Sequence, residues 1–119
     1  YAPGKWTLKE MLQHIIDGER IFTYRALAFA RKDPNSLPSF EEDDYAANSN
    51  ANLRSWASLV SEFQHVRTST TDLFQSFTPG MLSNSGVASG KQITVLSLGY
   101  TIVGHISHHL NVIKERYKQ

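Results

Sequence analysis

Three long stretches of this sequence carry apolar residues at steps of three and four, and nothing alternates with period two over a strand's length. That periodicity confines the chain to helices that each bury one face. In the first stretch Leu8, Met11, Leu12, Ile15, Phe22, Ala26 and Phe29 recur until Lys32-Asp33-Pro34-Asn35 breaks the pattern. Thr7 and Glu10 form a T-x-x-E capping box at its start, where hydroxyl and carboxylate each accept from an otherwise unpaired N–H. A helix is predicted over 7–31. In the second, Leu53, Trp56, Val60, Phe63, Arg67, Thr70, Phe74 and Phe77 make a seam, with Asn50 or Asn52 as the cap and Thr78-Pro79-Gly80 as the stop. This predicts a helix over 50–78. In the third, Val95, Gly99, Val103, Ile106, Leu110, Ile113 and Tyr117 form a central stripe, flanked by Leu98, Ile102, His105, His109, Val112 and Arg116. Its helix is predicted over 92–117, entered through Thr94 or Lys91-Gln92. The expectation is an all-α helical bundle, one domain over residues 1–119.

The connections read as ordered loops. Residues 33–49 are rich in Pro, Ser, Asn and acidic residues, with Leu37, Phe40 and Tyr45 as isolated apolar anchors. Their acidic run Glu41-Glu42-Asp43-Asp44 lacks the alternating oxygens and central Gly of a calcium loop, so it reads as solvated. Met81 to Gly90 is Ser/Gly/Asn-rich and reads as a loop turning at Gly86 and Gly90. Tyr1 to Lys5 reads as a loop leading into the first helix.

Composition removes several classes of function. Twelve basic residues against 11 acidic ones give a formal charge of +1 without a Lys/Arg cluster, which disfavours nucleic acid as a partner. Cysteine is absent, so disulfides, thiolate metal sites and a thiol nucleophile are excluded, in keeping with a reducing cytoplasm. No apolar run approaches the ~20 residues that span a bilayer, and the start lacks a signal-peptide pattern. A soluble, cytoplasmic protein without a membrane partner is expected.

Polar residues on apolar faces carry the functional signal. Glu19 projects at roughly 20° from Leu8, in the middle of the first stripe, and Arg67 holds an inward position of the second seam. They either pair with each other inside the bundle or contact a substrate. His105 and His109 lie one turn apart with Cβ atoms about 6 Å from each other, a metal-chelating spacing, although chance in a histidine-bearing helix produces it too. His108 points away from the stripe, and His65 lies outside its seam, on the surface. Two imidazoles leave a divalent ion short of ligands, and His14 is the candidate for a third. It projects at roughly −120° from Leu8, beside Gly18, Ile21 and Arg25, where a histidine is more often an ordinary boundary residue. Three neutral imidazoles would suit zinc, nickel or iron and leave a face open to substrate. Tyr24, Tyr45, Tyr100 and Arg25 are candidate pocket-wall residues. Arg25 is either a surface arginine or the partner of an anionic substrate group. Asp17 projects away from the expected cavity, and no catalytic base stands out.

Trp6-Thr7-Leu8-Lys9-Glu10 followed by His14, Ile15 and Asp17, then Glu19-Arg20, and finally Gly104-His105 and His109 before Glu115-Arg116-Tyr117, together resemble the DinB-like (DinB/YfiT-like) superfamily. The resemblance spans nearly the whole chain. It implies a four-helix bundle, a divalent metal held by His14, His105 and His109, and frequent homodimers. The family's best-understood branches are thiol-dependent transferases and isomerases that use bacillithiol, mycothiol or glutathione, and the leading expectation here is a metal-dependent enzyme of hydrolase or thiol-transferase type acting on a small-molecule substrate. The family's W-T-x-x-E helix is usually its second, and the helix expected before it is not in this sequence. Residues upstream of Tyr1, or else a neighbouring chain, are expected to fill that place. The rival reading is a non-catalytic helical interaction module with a structural or vestigial metal site. A stress-response sensor is a third, suggested by the family name alone.

Overall fold

In chain order, the computed structural model contains α1 (Leu8–Ala30), α2 (Glu42–Ala47), a 3-10 turn at Ala51–Leu53, α3 (Trp56–Gln75), α4 (Pro79–Ser83), the strands β1 (Ser85–Ala88) and β2 (Lys91–Thr94), and α5 (Val95–Lys118). It describes residues 6–118; the expected leading loop and the side chain of Tyr117 lie outside the described residues. The capping box starts α1 as the sequence predicts. Thr7 Oγ1 accepts from the Glu10 N–H at 3.1 Å, and Glu10 Oε1 accepts from the Thr7 N–H at 3.0 Å.

The central element is α1, against which α5, α3, α2 and the 3-10 turn all pack. Residues 11–16, 18 and 19 are consequently buried around most of the helix circumference, polar ones included. Met11, Ile15 and Ile16 meet Leu59 and Val66 of α3 and Ile102, Ile106 and Ile113 of α5 in one core. A second core gathers Ala26 and Phe29 with Phe77, Ala88, Val95 and Leu98. The helix α3 buries only Leu59, Val66 and Thr70, while Val60, Phe63 and Phe74 of the predicted seam stay half-buried. Phe74 borders a groove between α3 and α5, a cavity of about 350 Å³ lined also by Arg67, Thr70, Gly99, Ile102 and Val103 among others. Burial on α5 correspondingly follows Leu98, Ile102, Ile106, His109 and Ile113, between the two predicted lines, and leaves Val103 exposed.

Three local expectations are corrected. The cap of α3 is Ser55, whose Oγ accepts from Ser58 N–H at 3.0 Å, rather than Asn50 or Asn52. Asn50 adopts a left-handed φ of 55° ahead of the 3-10 turn, and Leu53 is exposed before the helix begins. The stretch Met81 to Gly90 is not a simple loop. It finishes α4 and forms the first strand of an antiparallel hairpin in which Ser85 faces Thr94 and Ala88 faces Lys91. Ser89 and Gly90, at φ 53° and 76°, make the tight turn. Gly86 is not a turn residue but lies against the Phe29 ring, where no Cβ would fit. The connection 33–49 is not a loop throughout, because residues 42–47 form α2, and Leu37 hydrogen-bonds the hairpin through Val87 O at 2.9 Å and the Ser89 N–H at 3.1 Å.

Arg67 and Glu19 meet inside the bundle, Nη1 to Oε2 at 3.3 Å. The carboxylate is fully buried and neither of its oxygens is hydrogen-bonded, so charge alone holds the pair. Among the described residues, no helix is long and apolar enough to cross a membrane.

Candidate metal centre

His14 is buried on the flank of α1 that faces α5, and His105 and His109 present their rings to it from successive turns of α5. The ring centroids are 4.8 Å apart for His14–His105, 4.8 Å for His14–His109 and 4.5 Å for His105–His109. His14 Nε2 and His105 Nε2 are 3.0 Å from each other. One ring nitrogen from each of the three lies within 4.8 Å of the others. His108 is exposed beside His109, and His65 is exposed on α3, as the helix rotations predict.

The walls of the cluster come from residues with no role assigned by sequence. Trp6 lies over His14 at 4.8 Å between ring centroids, and its carbonyl accepts from Arg116 Nη1 at 2.7 Å, which ties the entry of α1 to the end of α5. Phe22 meets His105 edge-on at 5.5 Å. Gly18 forms the floor, because a Cβ there would come within 2.8 Å of His105 Cε1. Spacing in the sequence reveals the ligating flank but not these neighbours, which depend on how α1 and α5 meet.

Enclosure sets the electrostatics. Burial, and after it the charge each would meet on a neighbouring histidine, together lower all three histidines from 6.5 to about 4. Asp43, on α2, opposes this at His14 without reversing it. Three neutral imidazoles at neutral pH form an all-nitrogen donor set, and the buried Nδ1 of His105 has no hydrogen-bond partner. These donors fit a divalent first-row ion.

The same shifts predict the acid behaviour of the metal-free protein. The unfolded chain binds protons at these histidines from about pH 6.5 downward, and the folded chain only near 4, so stability falls as pH drops through that window. A loss of about 3 kcal/mol or more is expected between pH 6.5 and 4. Urea unfolding at several pH values measures it, with His14→Gln as the flatter comparison.

Of the candidate wall residues, Tyr24, Tyr45 and Arg25 line one cavity on this side of α1, whereas Tyr100 is exposed on the outside of α5. Arg25 is buried, which corrects its reading as a surface residue; Pro38 of the connection and Ser89 of the hairpin cover it. Asp17 lies at a separate shallow pocket with Asp44, Tyr45 and Asn48, and burial raises its pKa although Gln13 donates to it.

The DinB superfamily model matches residues 1–113. This chain belongs to the DinB superfamily. Its all-α DinB fold is similar to that of YfiT from Bacillus subtilis, described as a probable metal-dependent hydrolase with an unusual four-helix bundle topology. The similarity has a TM-score of 0.71 at 14% identity and covers 98% of this chain and 70% of YfiT. No curated protein matches this DinB chain in a sequence search.

Proposed function

We propose that this DinB protein is a metal-dependent enzyme of hydrolase type, with His14, His105 and His109 holding zinc or nickel, or else iron. The observation that carries the proposal is the convergence of three imidazoles, His14 and His109 buried and His105 half-buried, kept neutral by their surroundings, on one point between α1 and α5. A divalent ion held there supplies Lewis acidity towards a substrate carbonyl or thiolate. The chain's own contribution is positional. His105 and His109 are fixed by helix geometry, His14 is packed beneath Trp6, and the Trp6 and Phe22 rings pack against the cluster. The substrate is a small molecule, and transfer of a low-molecular-weight thiol is the finer alternative to hydrolysis. A homodimer in the cytoplasm completes the proposal.

Elemental analysis of the purified protein, followed by turnover assays on ester, amide and thiol-transfer substrates with and without bacillithiol or glutathione, tests this function. Stoichiometric metal together with metal-dependent turnover supports it. Failure to take up any divalent metal at neutral pH overturns it, and metal without turnover leaves the interaction-module reading.

Gly18 gives a sharper structural test. An alanine methyl would push the His105 ring away from its position 3.0 Å from His14, while improving helix propensity by about 1 kcal/mol. Gly18→Ala should therefore keep its melting temperature and lose about 10- to 100-fold in metal affinity, the range for residues that orient ligands. Chelator competition measures this, and unchanged affinity would remove Gly18 from the site.

A further inference from the structure

The cavity between α1 and the 33–49 connection contains a buried cation without a counter-ion. Arg25 is 6% exposed, and its guanidinium donates from Nη2 alone, to Pro38 O at 2.9 Å and to Ser89 Oγ at 3.4 Å. No described carboxylate pairs with it. A guanidinium carries five N–H donors and keeps its charge at any physiological pH, so most of its bonding capacity is unused. A buried charge left uncompensated is costly, and an anion in the adjoining space would offset that cost.

The adjoining space is a cavity of about 300 Å³ lined by Arg20, Tyr24, Arg25, Pro38, Phe40 and Tyr45 among others, with no acidic residue in its wall. Arg20 is already paired with Glu62 at 2.9 Å, which leaves Arg25 as the cation free to meet a ligand. Phe40 and Tyr45 are in ring contact at 5.2 Å and offer an aromatic side to the space. Ile21 of its lining stands one helical turn from Gly18, which lies against the His105 ring. His14, Gly18, Ile21 and Arg25 follow one flank of α1, with Gly18 and Arg25 about 10 Å apart along the axis. Phe22 bridges the two regions: its ring is 5.5 Å from the His105 ring and 5.8 Å from Arg25 Cζ.

We infer that this cavity is a substrate subsite for an organic oxyanion, a carboxylate or phosphate bound by Arg25, whose apolar or aromatic body runs along Phe22, Phe40 and Tyr45 towards the histidines. This rests on the metal-site proposal only for the reacting end of the substrate; the anion end stands on Arg25 alone. Arg25 is an anchoring residue, which holds the charged end of the substrate away from the reacting end. The substrate class is thus an elongated monoanion or dianion with its labile bond remote from its charge. Esters and amides that carry such an anion are favoured over neutral ones.

Titration of metal-free protein with benzoate, phenyl phosphate and the neutral isostere benzamide, followed by NMR, tests the subsite. Benzoate or phenyl phosphate should bind, the tighter one identifying the oxyanion, with benzamide weaker by about ten-fold or more. Arg25→Gln should lose about ten-fold or more for the anion and little for benzamide. The Arg25 Nε–H resonance of the wild-type protein should shift on addition of the anion, a readout that does not depend on the variant folding. His105→Ala should bind the anion as wild type does, so a failed metal site and a failed anion site give different results. Equal binding of benzamide, an unmoved Arg25 resonance, or anion binding lost in His105→Ala but kept in Arg25→Gln would overturn the inference.

Discussion

Alanine at His105 or at His109 is expected to abolish stoichiometric metal uptake, lowering affinity by more than about 100-fold, whereas His108→Ala retains the ion. Removing a ligand should cost more than loss of a residue that merely orients one, which costs 10- to about 100-fold. Rotation around α5 separates the three neighbours. His105 and His109 present rings 4.8 Å from His14, while His108 is exposed and touches only the side of His109. His14→Ala should match the loss at His105, because without it only one helix contributes donors. Because burial keeps the imidazoles neutral to about pH 4, proton competition should weaken uptake mainly as pH approaches that value, well below the ordinary histidine range. Metal content after dialysis at pH 7, 6, 5 and 4 follows this directly. Loss of the ion in His108→Ala with retention in His109→Ala would reverse the rotational assignment.

The second large effect concerns stability. Arg67→Met is expected to destabilise the fold by about 3 kcal/mol, the lower end for a broken buried pair, since the guanidinium is 31% exposed while the carboxylate is fully buried. Glu19 then retains a charge with neither a counter-ion nor a hydrogen bond to its oxygens. The double substitution Glu19→Met/Arg67→Met should recover most of the loss, because the pair's attraction roughly offsets its desolvation. Urea denaturation at pH 7 gives both values. A single-variant change below about 1 kcal/mol would mean that water already reaches Glu19 through the groove between α3 and α5.

Helix periodicity made the three long helices and the inward rotation of Glu19, Arg67, His105 and His109 legible, because each depends only on position along one helix. The capping box placed the start of α1 within a residue. The entry to α3 was less legible: Asn50, Asn52 and Ser55 can all act as caps, and the left-handed turn at Asn50 postpones the helix. The hairpin escaped because its strands have four residues each, too few for alternation to emerge, although Ser89-Gly90 is a two-residue turn signal. That omission also misplaced Arg25. Its flank was readable, but its cover was not, since Pro38 and Ser89 arrive from segments whose packing no periodicity encodes. Trp6, Gly18 and Phe22 were hidden for the same reason.

The two imidazoles whose nitrogens lie 3.0 Å apart are separated by 91 positions in the chain. Joining them closes a loop that contains α2, α3, α4 and the hairpin, at an entropic cost that grows with the logarithm of its length. The local pair on α5 can form as soon as that helix does, but the third donor arrives only when the first and last helices dock. An ion shared by all three would therefore act as a clasp on the whole topology. It would favour the native state over the unfolded ensemble by mass action, and its removal would register in global unfolding rather than in fraying of either helix.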